Sequence, residues 1–327
     1  MKLLVTGGAG YVGSVVAKQL VLAGHEVTVF DDLSKGHRRA VPEGARFVRG
    51  TLLDGEAVRR LLREGYEGVL HFAALSLVGE SVERPELYYR NNVLGTLNLL
   101  DAMVESGTDR SAKRLVFSST AAVYGEPEVV PIPESAPTEP TNPYGASKLA
   151  CDRMIGDVAR AHGLAATSLR YFNVAGASGE LGEDHDPETH LIPLVLAAAL
   201  GKRDAISIFG TDYSTPDGTA VRDYIHIEDL GRAHALALDA AEAGEHRVYN
   251  LGNGSGFSVR EVIEAARAVT GRKIEAVEAP RRAGDPPELV ASSERIRDEL
   301  GWKPEKPLLE DMISDAWNWM LSRPDGY

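Results

Sequence analysis

Val5-Thr6-Gly7-Gly8-Ala9-Gly10-Tyr11-Val12-Gly13 decides the fold. The apolar run over 2–6 reads as a strand, and apolar residues at helical spacing over 11–23 read as a helix stopped at Gly24. Between them Gly7, Gly10 and Gly13 recur every three residues. Glycine at such positions permits a tight turn, lets the backbone approach a pyrophosphate and lets the helix pack closely on the strand. The helix start adds free N–H groups and the positive end of its dipole, both suited to an anion. The next strand, over 27–30, runs into Asp31-Asp32. An acid there hydrogen-bonds the adenosine ribose and disfavours a 2′-phosphate, so the loop reads as a site for NAD rather than NADP.

Outward from this loop the chain alternates strands and helices. Strands read over 46–48, 69–72, 114–118 and 166–170, with helical periods over 54–64, 87–106 and 143–161 between them. The last helix is well announced, with Asn142 as N-cap and Pro143 as first helical residue. Such alternation gives a parallel sheet covered on both faces, and right-handed crossovers make it doubly wound. The fold class is therefore α/β, a Rossmann-type sheet. After Asn173 the rhythm loosens: strands near 206–209, 247–251 and 274–277 alternate with helices near 191–200, 228–243, 258–270 and 308–321. We read residues 1–172 as the NAD-binding domain and 173–327 as a smaller α/β substrate lobe, some of whose segments return to the first domain.

Composition narrows the function. The 327 residues are 43% hydrophobic and 25% charged, as in ordinary globular chains, and the formal net charge is −13. That field repels nucleic acid, and the one basic cluster, KGHRR over 35–39, is too short to offset it. The longest apolar stretch, over 191–200, is half a membrane span and contains Pro193. A strand beginning within two residues of Met1 leaves no room for a signal peptide. The single cysteine, Cys151, reads as a packing residue and forms no intrachain disulfide, which suits a cytoplasmic protein. The nine histidines are scattered and none forms HExxH, so no metal site is expected.

The chemistry lies in three further residues. Tyr144 and Lys148 are four apart on one helix and share a face. A neighbouring ammonium and a cationic nicotinamide favour a phenolate, which can take a proton from an alcohol. Ser118-Ser119-Thr120 ends the preceding strand, and strand C-termini are where a doubly wound sheet binds its ligand. A hydroxyl there can bridge a substrate oxygen and Tyr144.

Together these residues resemble the extended short-chain dehydrogenase/reductase superfamily and, within it, the UDP-sugar 4-epimerase branch. Matching segments run nearly end to end: VTGGAGYVGS, HFAALSLVGES from His71, YYRNNVLGT from Tyr88, FSSTAAVYGE from Phe117, NPYGASK from Asn142 and LRYFNVAGA from Leu169. FGTDYSTPDGTAVRDYIHIEDL from Phe209 and PRRAGDPPELVAS from Pro280 extend the likeness through the second half. The resemblance implies an isomerase acting on UDP-glucose and UDP-galactose, with tightly bound NAD regenerated at each turnover. It implies that Tyr144 takes the 4-hydroxyl proton, Lys148 holds the nicotinamide ribose and Thr120 bonds the 4-oxygen. It places Tyr11, Val12, Phe72, Ala73, Ala74, Asn92, Ser118 and Tyr171 around the cofactor. It places Phe172, Asn173, His190, Leu191, Phe209, Arg222, Arg282 and Asp285 around the UDP-sugar. Arginines suit the diphosphate, because a guanidinium pairs bidentately with its oxygens. A core role serves Phe172 and Phe209 equally well. A homodimer joined through the helices over 87–106 and 143–161 is also implied.

Three positions depart from the branch. Thr51 stands where an aspartate usually touches adenine, and Ser76 where a lysine often lies near the diphosphate. Leu289 matches a position where residue size gates N-acetylated sugars, and leucine is intermediate. Two other functions fit the same glycine loop: a nucleotide-sugar 4,6-dehydratase or decarboxylase, and a non-enzymatic NAD(P)-binding sensor. A dehydratase needs acids beside the Ser/Thr position, where this chain has Ala121-Ala122. A sensor often lacks the tyrosine or the lysine, and both are present.

Overall fold

The computed structural model describes residues 1–106, 113–282 and 285–327. The strands are β1 (Lys2–Thr6), β2 (Glu26–Asp31), β3 (Arg46–Arg49), β4 (Gly68–His71), β5 (Arg114–Thr120), β6 (Ala165–Tyr171), β7 (Asn173–Ala175), β8 (Ile206–Phe209), β9 (Val221–His226), β10 (His246–Leu251), β11 (Gly256–Ser258), β12 (Ala276–Ala279) and β13 (Glu288–Leu289). The α-helices are α1 (Tyr11–Leu22), α2 (Gly55–Leu62), α3 (Val78–Glu83), α4 (Pro85–Tyr88), α5 (Gly95–Glu105), α6 (Pro143–His162), α7 (Leu191–Ala199), α8 (Ile227–Asp239), α9 (Val259–Thr270), α10 (Glu294–Leu300) and α11 (Leu309–Ser322).

The main sheet is seven-stranded and parallel throughout, in the order β10-β6-β5-β4-β1-β2-β3. Its chain order reverses between β1 and β4, and a crevice forms at such a switch point beyond the strand C-termini. Two apolar layers explain why these strands read as unbroken hydrophobic runs. Leu3, Val5, Val15, Val16, Leu20 and Leu230 fill one face, and Leu4, Leu61, Leu99, Leu115, Cys151 and Ile155 fill the other. Cys151 is fully buried among them, in the packing role expected of it.

Beyond β6 the chain builds its second half. β9 carries β7, β11 and β13, while β8 and β12 pair separately. Ile192, Leu196, Ile263, Ile313 and Trp317 form the core of this lobe. Two of its elements serve the main sheet: β10 becomes its edge strand, and Ile227 and Leu230 at the start of α8 join the same core as α1. Among the described residues no helix is long and apolar enough to cross a membrane.

The helix expected over 87–106 is broken. α4 gives way to one wider π-helical stretch, Tyr89–Leu94, before α5 resumes. Asn92 lies in that stretch and Asn91 beside it, and π-turns recur at functional sites. β7, β9, β11, β13, α3 and α10 have no counterpart in the sequence reading. β9 holds Arg222, Asp223 and Tyr224 in its interior, a polar pattern that hides a buried strand.

Candidate active site

The glycine loop forms as its sequence demands. Gly7 is left-handed, with φ +71°, and a Cβ on it would collide with the backbone nitrogen of Ala73 in the loop after β4. Gly13 faces the Gly7 carbonyl as closely. No side chain caps α1, and its first backbone bond runs from Ser14 N–H to the Gly10 carbonyl. The N–H groups ahead of Ser14, including those of Tyr11 and Val12, are thus left to an anion. Asp31 ends β2 beside this turn and is 9% exposed; its carboxylate accepts the N–H of Ala9 at 3.0 Å and of Leu33 at 2.8 Å. Burial holds Asp31 above the usual carboxylate range, with those backbone donors offsetting part of the rise. Asp32 accepts Ser34 N–H at 2.8 Å.

Phe72, Ala73 and Ala74 leave β4 across the crevice from the glycine loop, and Asn92 holds them there. Its amide accepts Leu75 N–H at 2.8 Å, donates to the Leu75 carbonyl at 3.0 Å and reaches Ser147 Oγ of α6 at 3.1 Å. Under this loop His71 is 1% exposed and bridges Thr6 (2.8 Å) and Thr96 (2.9 Å). Burial, with Lys148 nearby, drives its pKa down to about 3, so the ring is neutral.

α6 carries Tyr144 and Lys148. Asn142 Oδ1 caps it by accepting Gly145 N–H at 2.9 Å, Pro143 opens it and Gly163 closes it with φ 73°. Gly145 brings the helix onto the end of β5: a Cβ there would lie 2.5 Å from the Ala122 carbonyl oxygen. That approach sets Tyr144 against Thr120, whose hydroxyl is close enough to favour the ionised phenol. Lys148, one turn on, is 2% exposed, with its ammonium 4.5 Å from the Phe117 ring centre. Burial lowers its pKa to about 8.

One expectation is corrected. The chain's own groups do not make Tyr144 acidic: burial raises its pKa, and the Thr120 hydroxyl only moderates the rise. Lys148, itself desolvated, contributes no comparable lowering. The positive charge of a nicotinamide is the remaining source of phenolate stabilisation.

The three hydroxyls at the end of β5 divide by strand alternation. Ser118 accepts the hydroxyl of Tyr171, and Thr120 faces Tyr144. Ser119 points away, donating to Asp152 at 3.1 Å. Asp152 also pairs with Arg170 at 3.0 Å, Arg170 reaches the Tyr124 hydroxyl at 3.0 Å, and Tyr124 donates to Asn250 at 2.7 Å. This buried network braces β5, α6 and β10 behind the site, and sequence reading missed it. The spacing of an Asp four residues beyond Lys148 was its available signal.

The residues assigned to the sugar nucleotide fall in two groups. Phe172 and Asn173 continue directly from β6 into β7, and Phe172 belongs to an apolar cluster against which Leu289 packs. In the lobe, Arg222 and Asp285 pair with each other, the Arg282 guanidinium lies 4.0 Å over the Phe209 ring, and Leu289 sits in register with Arg222. Ala283 and Gly284, within the same segment, lie outside the described residues. Asp223, also unforeseen, ties this group together by accepting the N–H of Asn253, Gly254 and Ala291. Burial raises its pKa to about 6 despite those bonds. The Thr51 hydroxyl accepts Leu53 N–H at 3.3 Å, and Ser76 is exposed.

His190 is held by carboxylates. Its Nδ1 turns onto Glu183 at 2.7 Å and Glu188 at 3.0 Å, beside His185, and Leu191 begins α7. Glu183 pushes the His190 pKa up to about 11, against the opposing effect of burial. For His185 burial lowers, but the nearby carboxylates of Glu183 and Glu188 prevail and raise it to about 9. The four residues are spaced E-x-H-x-x-E-x-H, which differs from HExxH.

A parallel sheet with a glycine turn at its switch point, and a Tyr-x-x-x-Lys helix facing a strand-end threonine, define an enzyme that works on alcohols with a bound dinucleotide. The residues fit that cofactor: the Gly7–Ala73 approach leaves no room for side chains in the turn, and the buried Lys148 pairs with no carboxylate among the described residues. The family model described as NAD dependent epimerase/dehydratase family matches residues 3–252, and the chain belongs to that family. A UDP-glucose 4-epimerase of Corynebacterium glutamicum is 59% identical over 97% of this chain and 95% of its own. A crystal structure of a UDP-glucose 4-epimerase superposes with TM-score 0.95 at 50% identity, covering 100% of this chain and 99% of the other. The Bifidobacterium longum UDP-glucose 4-epimerase in complex with NAD+ and UDP gives TM-score 0.93 at 37% identity, with both chains fully covered.

Proposed function

We infer that this chain is an NAD-dependent epimerase that interconverts UDP-glucose and UDP-galactose at C4. The observation that carries the reading is the convergence of Thr120, Tyr144 and buried Lys148 at the end of β5, with Ala121 and Ala122 in place of an acid beside Thr120. NAD, when bound, would supply a reversible hydride acceptor for C4 of the sugar. Gly7, Gly10, Tyr11, Val12 and Gly13 would hold its pyrophosphate, Asp31 and Asp32 its adenosine ribose, and Phe72, Ala73, Ala74, Asn92, Ser118 and Tyr171 would line its nicotinamide half. Lys148 would bond the nicotinamide ribose. Tyr144 takes the 4-hydroxyl proton as C4 is oxidised and gives it back on the other face, and Thr120 orients the 4-oxygen toward it.

Inversion requires the sugar to turn while its nucleotide stays fixed. Arg222, Arg282 and Asp285, with Phe209, Asn173, Leu191 and Phe172, would grip the UDP end. The Arg222–Asp285 pair presets this grip, because each side chain is already held by the other. His190 would contribute through the position of the loop that carries it. Residues 1–172 would serve the cofactor and 173–327 the substrate, with β10 and α8 returned to the main sheet.

The enzyme would act as a homodimer. Tyr89, Leu94 and Leu97 are all more than a third exposed along the π-helical stretch and α5, an apolar strip that a second copy would cover. The buried, unpaired Cys151 suits a cytoplasmic setting.

The test is to incubate the purified protein with UDP-galactose, without added cofactor, and follow the sugar anomeric protons by NMR. UDP-glucose should appear. A 4-keto-6-deoxy product, or no change, would refute the reading.

A further inference from the structure

We propose that Glu183, His185, Glu188 and His190 form a binding site for one divalent transition-metal ion of the zinc type, which locks the loop between β7 and α7. One ligand atom from each residue lies within 4.8 Å of the other three. The nitrogen–oxygen separations are 2.7 and 3.0 Å from His190 Nδ1, and 3.2 and 3.6 Å from His185 Nδ1. A tetrahedral ion with bonds of about 2.0–2.1 Å separates its ligands by about 3.3 Å. Glu183 Oε1 stands 2.7 and 3.2 Å from the two ring nitrogens, near that edge, while Glu188 turns Oε1 to His190 and Oε2 to His185. Imidazole nitrogen with carboxylate oxygen is a donor set that zinc accepts, and two carboxylates balance its charge.

A second observation separates this arrangement from ordinary ion pairing. His185 Nδ1 is buried and makes no hydrogen bond among the described residues, although Glu183 Oε1 is 3.2 Å away. The ring nitrogen therefore points beside that oxygen rather than along a bond to it. Glu183 is itself only 8% exposed at its side chain. Glu188 is held in place by its neighbours: Oε1 accepts the N–H of Thr189 at 2.6 Å and of His190 at 2.7 Å, while Oε2 faces His185. Such outer bonds orient a metal ligand.

Four protein ligands close the site, as in structural rather than catalytic zinc centres. The loop they would lock touches the glycine turn. The Tyr11 hydroxyl donates to the Gly176 carbonyl at 2.6 Å, and the His185 ring meets the Tyr11 ring edge-on at 6.4 Å. Lys35 and His37, from the loop after β2, donate to the carbonyls of Asp186 (2.8 Å) and Asp184 (2.9 Å). An ion here would couple the order of this loop to the two turns that the dinucleotide reading assigns to NAD.

The experiment uses the tag-free full chain with its resident cofactor, freed of metal by a chelator and titrated with Zn2+ at pH 8. Calorimetry should give one Zn2+ per chain, and saturation should raise the thermal midpoint by about 3 °C or more. Co2+ in its place should give the intense visible bands of a four-coordinate site. His185→Gln combined with His190→Gln should abolish both the binding and the thermal shift. Absence of stoichiometric binding would overturn the proposal, as would binding unchanged by the double substitution. Should that variant not fold, the Co2+ spectrum of the unaltered chain decides: weak six-coordinate bands contradict the site.

Discussion

The Lys148 ammonium lies 4.5 Å from the centre of the Phe117 ring, on a side chain 2% exposed. A cation so placed is held against its own solvation. Its pKa, lowered by burial from 10.5 to about 8, measures that cost. Between pH 8 and 10.5 the folded protein has shed a proton that the unfolded chain keeps, so stability rises with pH across that window. Replacing Lys148 by Met should cut turnover at least about 100-fold yet stabilise the fold at pH 7, by at most about 3 kcal/mol. Urea unfolding at pH 7 and 9.5 checks this; a variant less stable at pH 7, with the pH slope intact, contradicts it.

Buried histidines set the acid limit. His71 at about 3 and His234 at about 4 are both lowered by burial and stay neutral in the fold, while the unfolded chain binds their protons near 6.5. Their contribution is complete above pH 6.5 and is lost as pH falls toward 4, at up to about 1.4 kcal/mol per unit for each ring. His185 and His190, raised to about 9 and about 11, act in the opposite sense: their contribution is complete below pH 6.5 and fades as pH rises through those values. Unfolding midpoints between pH 4.5 and 7 should therefore fall on acidification, and His71→Gln should flatten the fall. An unchanged slope in that variant would count against a neutral His71.

Glycine substitutions should separate folding from cofactor binding. A methyl at Gly7 meets the Ala73 backbone and needs a left-handed residue, so Gly7→Ala should destabilise by more than about 2 kcal/mol. At Gly10 the nearest atom is the Gly7 carbonyl oxygen at 3.4 Å. Gly10→Ala should fold normally yet lose NAD affinity about tenfold or more, because its methyl enters the space that the pyrophosphate needs. Melting curves with and without added NAD distinguish the two effects.

Leu289 packs against the apolar cluster that contains Phe172 and lies in register with Arg222. Enlarging it to Tyr should reduce kcat/KM for UDP-N-acetylglucosamine more than for UDP-glucose, and Leu289→Ala should do the reverse. Equal effects on both sugars, measured in paired assays, would remove Leu289 from specificity.

How much of this was legible in the sequence follows from where each signal is stored. The glycine turn, the Asn142 cap and the Tyr144–Lys148 spacing are local, so sequence carries them whole. The main sheet was legible because strands buried on both faces read as continuous apolar runs. β9 was not, because Arg222 and Asp223 interrupt its pattern and are satisfied by groups far along the chain. The split of Ser118, Ser119 and Thr120 between two faces needed the strand's register, and the Asp152–Arg170–Tyr124–Asn250 network needed the fold itself. The pKa of Tyr144 was misjudged because counting charges omits burial.

The central claim is that the hydrogen at C4 leaves and returns without meeting solvent, while Tyr144 handles only the hydroxyl proton. The most direct measurement is conversion of UDP-galactose in D2O, with the product examined by NMR and mass spectrometry. UDP-glucose should form with protium at C4 and no gain in mass at carbon. Deuterium at C4, or at C5 of a 4-keto-6-deoxy product, would contradict it.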